Sequence, residues 1–167
     1  MALKWPNDLL LESAKVAGLL LEAHGLGGGL AAVIGFGVNI ASAPSGTPYP
    51  IAALRTLAPG LTPEALLAAL ADAFARRLAA WQAAGGAGAA ERFAPIRHEW
   101  LRRAAGLGST VTVRLPSGER TGRFAGLDLI GRLELQTASG LERIDAGDLY
   151  FSRTSPGLAE PSSTLTG

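Results

Sequence analysis

Leu3-Lys4-Trp5-Pro6-Asn7-Asp8-Leu9-Leu10-Leu11, with Lys15-Val16-Ala17-Gly18 close behind, is the stretch on which the reading of this 167-residue chain turns. Trp5 precedes a proline and is biased to extended backbone. Leu9 to Leu11 is a short apolar run, Glu12-Ser13-Ala14 reads as a turn, and Val16 to Ala23 is a second apolar run. Gly25 to Gly29 is a flexible turn, and Ala31 to Ile40, rich in Val, Ile and Gly, reads as a buried strand. A cation, an indole, a carboxamide and a carboxylate therefore sit together on strands. Chain ends fray unless tied down, so the expectation for a cluster this near residue 1 is either a sheet that holds it or a preceding segment that has been lost.

Outward from there the texture changes twice. Pro44 to Pro50 is a proline-rich loop, and Ile51 to Leu57 has room for one or two helical turns. Thr62-Pro63-Glu64 is a helix start, with Thr as N-cap, Pro at the first position and an acid in the first turn. Leu66, Leu70, Phe74, Leu78 and Trp81 then fall on one helical stripe, and Gly85-Gly86 ends it. Phe93, Ile96, Trp100 and Ala104 form a second stripe, which Pro95 is expected to start or break. Trp81 and Trp100 read as core. Arg102 and Arg103 suit the negative end of a helix. After Gly106, short alternating runs separated by Pro116-Ser117-Gly118-Glu119, Asp128 to Gly131 and Ser139-Gly140 predict a small antiparallel barrel. Ser152 to Gly167 lacks apolar periodicity and reads as a disordered tail. The expected division is 1–105, 106–151 and 152–167.

Composition narrows the function. Hydrophobic residues make up 48% and charged residues 17%, which suits a globular protein. A net charge of +1 gives no global field for nucleic acid or anionic membrane. With no cysteine, thiolate catalysis and thiolate metal sites are excluded. The longest apolar stretch, Leu26 to Ala41, carries glycines at 27, 28, 29, 35 and 37 and is too short to span a bilayer. The expectation is a soluble, cytoplasmic protein.

Each candidate site residue has two readings. Lys4, Asn7 and Asp8 are either a strand end with an Asn-Asp turn or a cation and a carboxylate delivered to a sheet rim. At a rim the cation steadies a phosphate and the carboxylate takes a proton or orients a nucleophile. Lys15 is either a solvated residue after a turn or a neutraliser of negative charge, with Gly18 where something approaches the backbone closely. Gly35-Phe36-Gly37-Val38-Asn39 lacks the third glycine and the following helix of a dinucleotide loop. Asn39 either ends a buried strand or offers its amide to a base or ribose. His24 and His98 have no ligand-spaced partners and read as surface residues.

In order and spacing, Lys4-Trp5-Pro6-Asn7-Asp8, Lys15-x-Ala17-Gly18 and Gly35-x-Gly37-Val38-Asn39-Ile40 together resemble biotin protein ligases. The Phe93-x-x-Ile96-x-x-x-Trp100 helix and the terminal barrel extend the likeness to about residue 151. The resemblance implies an α+β fold. Its first part is a partial mixed β-sheet with packed helices, of the class II aminoacyl-tRNA synthetase-like, biotin ligase catalytic type, followed by an SH3-like barrel. It also implies ATP-dependent activation of biotin to biotinyl-5′-AMP, with magnesium accompanying ATP, and transfer to a lysine of a biotin carboxyl carrier protein. Lys15 would face the biotin carboxylate and α-phosphate, and Gly18 would admit the ligand. Asn39, Asn7 and Trp5 would line the nucleotide, and Lys4 and Asp8 would flank the adenylate, with Asp8 orienting or deprotonating the incoming lysine. No protein metal ligand is assigned, and a homodimer through sheet edges is compatible.

One departure is large. In this family the Lys-Trp-Pro-Asn-Asp segment lies mid-domain, behind a Gly-Arg-Gly-Arg-type loop and the biotin-enclosing strands, and neither is in this sequence. The helix-turn-helix of some members is also missing, so no DNA binding is expected. The expectation is a chain with weak ligation of its own and an exposed apolar edge. The rival reading is a non-catalytic remnant or binding module whose barrel contacts a protein partner.

Overall fold

The computed structural model describes residues 1–84 and 88–151. The expected helix end at Gly85-Gly86 and the expected tail from Ser152 lie outside them. Four strands come first: β1 (Ala2–Lys4), β2 (Asp8–Leu11), β3 (Ala14–Leu26) and β4 (Gly29–Val38). They form one sheet in sequence order, antiparallel throughout. Among the described residues the parallel component is limited to two isolated bridges, Leu3 with Ala104 and Lys15 with Ile51. Tight turns explain the meander. Gly27 and Gly28 both take positive φ between β3 and β4, as a two-residue hairpin loop of the primed type demands.

A single 3-10 turn, Leu54–Thr56, occupies the expected short helical segment. Helix α1 (Pro63–Ala83) starts where the sequence predicts, with the Thr62 hydroxyl accepting from Ala65 N–H. Its apolar stripe is not core: no α1 residue is buried, and Trp81 is half-buried beneath the Arg92 guanidinium at 5.3 Å. The stripe faces Phe36, Val38 and Ile40 across an open groove of about 270 Å³. Helix α2 (Ala89–Leu101) also departs from expectation, because Pro95 lies inside it and neither starts nor breaks it. Its contacts account for this. Glu91 caps the Gly88 N–H at 3.0 Å. Arg97 Nε donates to the Leu127 carbonyl at 2.7 Å, and Trp100 meets Phe124 edge-on at 6.4 Å.

The last five strands are β5 (Thr110–Leu115), β6 (Gly118–Leu127), β7 (Leu133–Thr137), β8 (Gly140–Ile144) and β9 (Asp148–Phe151). They pair in the order β8-β7-β6-β5-β9, all antiparallel. Alternation, interrupted in β6 by a register shift between Phe124 and Gly126, turns Val111, Val113, Phe124, Leu133, Leu135 and Leu149 inward, each fully buried. Gly122 lets β6 lie tightly on β7, since a Cβ there would stand 2.5 Å from the Gln136 carbonyl oxygen. Asp128 ties the β6–β7 turn, accepting from Ile130 and Arg132 N–H at 3.0 and 2.9 Å and from Arg132 Nε at 2.7 Å. Burial opposes its ionisation. Arg132 and the two backbone N–H groups outweigh that and hold the carboxyl below its ordinary range.

Among the described residues no helix is long and apolar enough to cross a membrane.

Candidate functional site

The β1–β2 hairpin places Lys4 directly opposite Asp8, and the β2–β3 pairing places Asp8 opposite Gly18. Lys15, on the same strand as Gly18, turns its ammonium back over that glycine. Lys15 Nζ lies 2.6 Å from Asp8 Oδ1, and Lys4 Nζ lies 3.4 Å from Asp8 Oδ2. A Cβ on Gly18 would come within 3.2 Å of Lys15 Nζ and 3.3 Å of Asp8 Oδ1. The glycine thus makes room for the ion pair itself.

Lys15 is fixed at its backbone as well. Its N–H donates to the Pro50 carbonyl at 2.9 Å and its carbonyl accepts from Ala52 N–H at 3.0 Å. Asn39 adds a further strut. Its backbone N–H meets Val16 O at 2.8 Å, and its Nδ2 reaches Lys15 O and Ala52 O at 3.5 and 3.2 Å. Among the described residues no donor meets Asn39 Oδ1, which stays available as an acceptor.

Two of the predicted residues stand outside this cluster. The Trp5 indole is buried in the barrel's apolar core, with Nε1 donating to Gly131 O at 3.4 Å. Asn7 commits its Nδ2 to the Leu19 carbonyl, while its own carbonyl accepts from Leu19 N–H at 3.0 Å. Both hold the β1–β2 turn in place, Trp5 against the barrel and Asn7 against β3.

Lys4, Asp8 and Lys15 open on a cavity of about 420 Å³ that Tyr49, Tyr150 and Phe151 also line. Sequence pattern alone gives these aromatic side chains no role. Tyr49 stands 5.9 Å from Lys15 Nζ and Tyr150 5.6 Å from Lys4 Nζ, ring centroid to nitrogen. The signal for Tyr49 is its setting between Pro48 and Pro50, which stiffens it. That for Tyr150 is alternation, since Leu149 points into the barrel.

Two ammonium groups against one carboxylate leave a net positive charge at a partly enclosed wall. Such a site attracts an anion and holds it more strongly than water would. It does not fit a protein-held magnesium ion, because among the described residues Asp8 is the one carboxylate lining the cavity and the two ammonium groups beside it repel a cation. Among the described residues no group of three or more His, Asp or Glu is placed to hold a metal.

A four-stranded antiparallel sheet with an anion-attracting rim, closed on one side by a small barrel, is the class that fold and site define. Comparisons with known proteins give that class its relatives. Residues 106–152 match the family described as biotin protein ligase C terminal domain. A biotin--[acetyl-CoA-carboxylase] ligase of Paracoccus denitrificans is 42% identical over 158 residues, covering 90% of this chain and 63% of that protein. A bifunctional ligase/repressor BirA of Bacillus subtilis is 28% identical over 156 residues, covering 88% of this chain and 45% of that protein. Biotin protein ligase from Aquifex aeolicus in complex with biotin and ATP shares the fold, with a TM-score of 0.73 at 22% identity, over 90% of this chain and 62% of that one. The chain is thus similar in sequence to these ligases and shares the fold of the Aquifex protein, and it spans between 45% and 63% of the length of the two curated relatives.

Proposed function

We propose that this chain carries the nucleotide-facing and lysine-facing side of a biotin protein ligase site. The observation that supports it most is the Lys4–Asp8–Lys15 cluster at the cavity wall. The reaction joins two anions, the biotin carboxylate and the ATP α-phosphate, releasing pyrophosphate and leaving biotinyl-5′-AMP. Lys15, fixed at both its backbone and its ammonium, supplies the cation that lets them meet. Lys4 supplies a second positive charge at the other carboxylate oxygen. Asp8 sets the spacing of the two lysines and offers the carboxylate that orients the incoming lysine of the carrier protein. Asn39 Oδ1 offers an acceptor to the nucleotide. Gly18 acts by admitting the Lys15 ammonium. Trp5 and Asn7 act by holding the hairpin that carries Lys4 and Asp8.

ATP, biotin and a biotin carboxyl carrier protein are the substrates and partner of this reading. Magnesium enters with the nucleotide phosphates, and the compartment is the cytoplasm. The division at 105/106 and a homodimer belong to the same reading. Preformed biotinyl-5′-AMP and a carrier domain test it, because they bypass activation. The wild-type chain should label the carrier faster than the uncatalysed background, and Lys15→Gln and Asp8→Asn should return it to background. Wild type no faster than background, or variants as fast as wild type, would count against the assignment.

A further inference from the structure

We propose that Tyr150 is a positioning residue for Lys4, the contact through which the barrel sets the geometry of the anion site. The inference rests on the functional reading above.

Asp8 is shared unequally. It holds Lys15 at 2.6 Å and Lys4 at 3.4 Å, so Lys4 is the cation in need of a second restraint. Tyr150 provides it from another part of the fold. Its ring centroid lies 5.6 Å from Lys4 Nζ, within the range where an ammonium is attracted to an aromatic face.

The ring is itself fixed from the barrel side. Tyr150 pairs with Thr112 of β5, and Arg114 follows two residues along the same strand. The Arg114 guanidinium carbon lies 4.9 Å from the ring centroid, and Nη1 donates to the Tyr150 hydroxyl at 3.4 Å. Glu119 Oε1 in turn accepts from Arg114 Nε and Nη2, both at 3.2 Å. The Tyr150 ring thus lies between two cations, Arg114 held by Glu119 on the barrel side and Lys4 held by Asp8 on the sheet side. With its hydroxyl on Arg114 and cations at its ring, Tyr150 restrains Lys4 and leaves substrate contact to the lysines.

Tyr150 is replaced by Phe, by 4-fluoro- and 3,5-difluorophenylalanine, and by Leu. Fluorines draw charge from the ring face at nearly constant shape, so a purely structural role would not follow them. Two readouts are taken on the full chain: the NMR shift of the Lys4 ε-methylene protons, and the dissociation constant for ATP. The Phe variant should keep the ring-current displacement of Lys4, and the Leu variant should lose it. ATP affinity should fall in step from Phe through the fluorinated rings to Leu, by about three-fold in all. An ATP affinity indifferent to fluorination, or a Lys4 shift unchanged in the Leu variant, overturns the proposal alone. A wild-type chain that binds no ATP overturns the nucleotide reading and this role with it, even where the Lys4 shift still reports the contact.

Discussion

The barrel and the four-stranded sheet are made of similar apolar residues and treat them in opposite ways. In the barrel, six inward side chains are fully buried, and Trp5 from the β1–β2 turn joins their cluster. In the sheet, burial is confined to the end near the lysines, at Leu10, Val16 and Ala17. Further along, every residue from Leu20 to Leu30 is exposed, and Leu30 reaches 76%. Five strands can enclose a core of their own, whereas a two-stranded ribbon such as the far end of β3–β4 cannot. Stability therefore resides in the barrel and the seam, and the site sits where the sheet is tied to both.

Substitutions along this contrast should differ in size. Phe124→Ala empties the barrel core and should cost about 3–5 kcal/mol in urea unfolding. Trp5→Ala should cost a comparable amount but with another signature. The sheet and barrel lose their shared anchor, and a single unfolding transition should split in two. Asp128→Asn comes next and depends on pH. The native carboxyl lies below its ordinary value of 3.8, so its contribution is complete above that value and is lost as pH falls through the lower, folded-state value. Wild type should exceed the variant in thermal midpoint at pH 6, and the gap should close in acid below about pH 3.8. On the sheet side, Glu12 and Ser13 both take positive φ in the β2–β3 turn. Glu12→Asn with Ser13→Gly should relieve about 1 kcal/mol of strain. Phe74→Ser, on the open face of α1, should change stability least, by about 0.5 kcal/mol or less, while raising solubility.

Much of this was legible in the sequence, for reasons that also explain the misses. Thr62-Pro63 and the alternation after Gly106 are local signals, and α1 and the barrel follow them. The sequence places Lys4 and Asp8 together at a sheet rim, and only the family resemblance adds Lys15 to them; hairpin register is what brings all three together. Three features were not legible. The fate of the α1 stripe depends on what packs against it, and periodicity marks a face without saying whether it is covered. Pro95 inside α2 reflects tertiary contacts of Arg97 and Trp100 overriding a local preference. Trp5 and Tyr150 depend on how the sheet and barrel meet, with Gly131 126 residues beyond Trp5 and Tyr150 farther still from Lys4. The family resemblance places Trp5 among the nucleotide-lining residues. In the fold its indole points into the barrel and Lys4 meets Tyr150.

The central claim is that the lysine cluster beside Asp8 is the anion site of a biotin ligase-type reaction. Calorimetric titration of the purified chain with biotinyl-5′-AMP tests it most directly, with Lys15→Gln run in parallel. Saturable binding by wild type, weakened at least about ten-fold in Lys15→Gln by loss of a fixed charge-assisted contact, is the predicted result. Equal binding by the two proteins, or no binding by wild type, would contradict it.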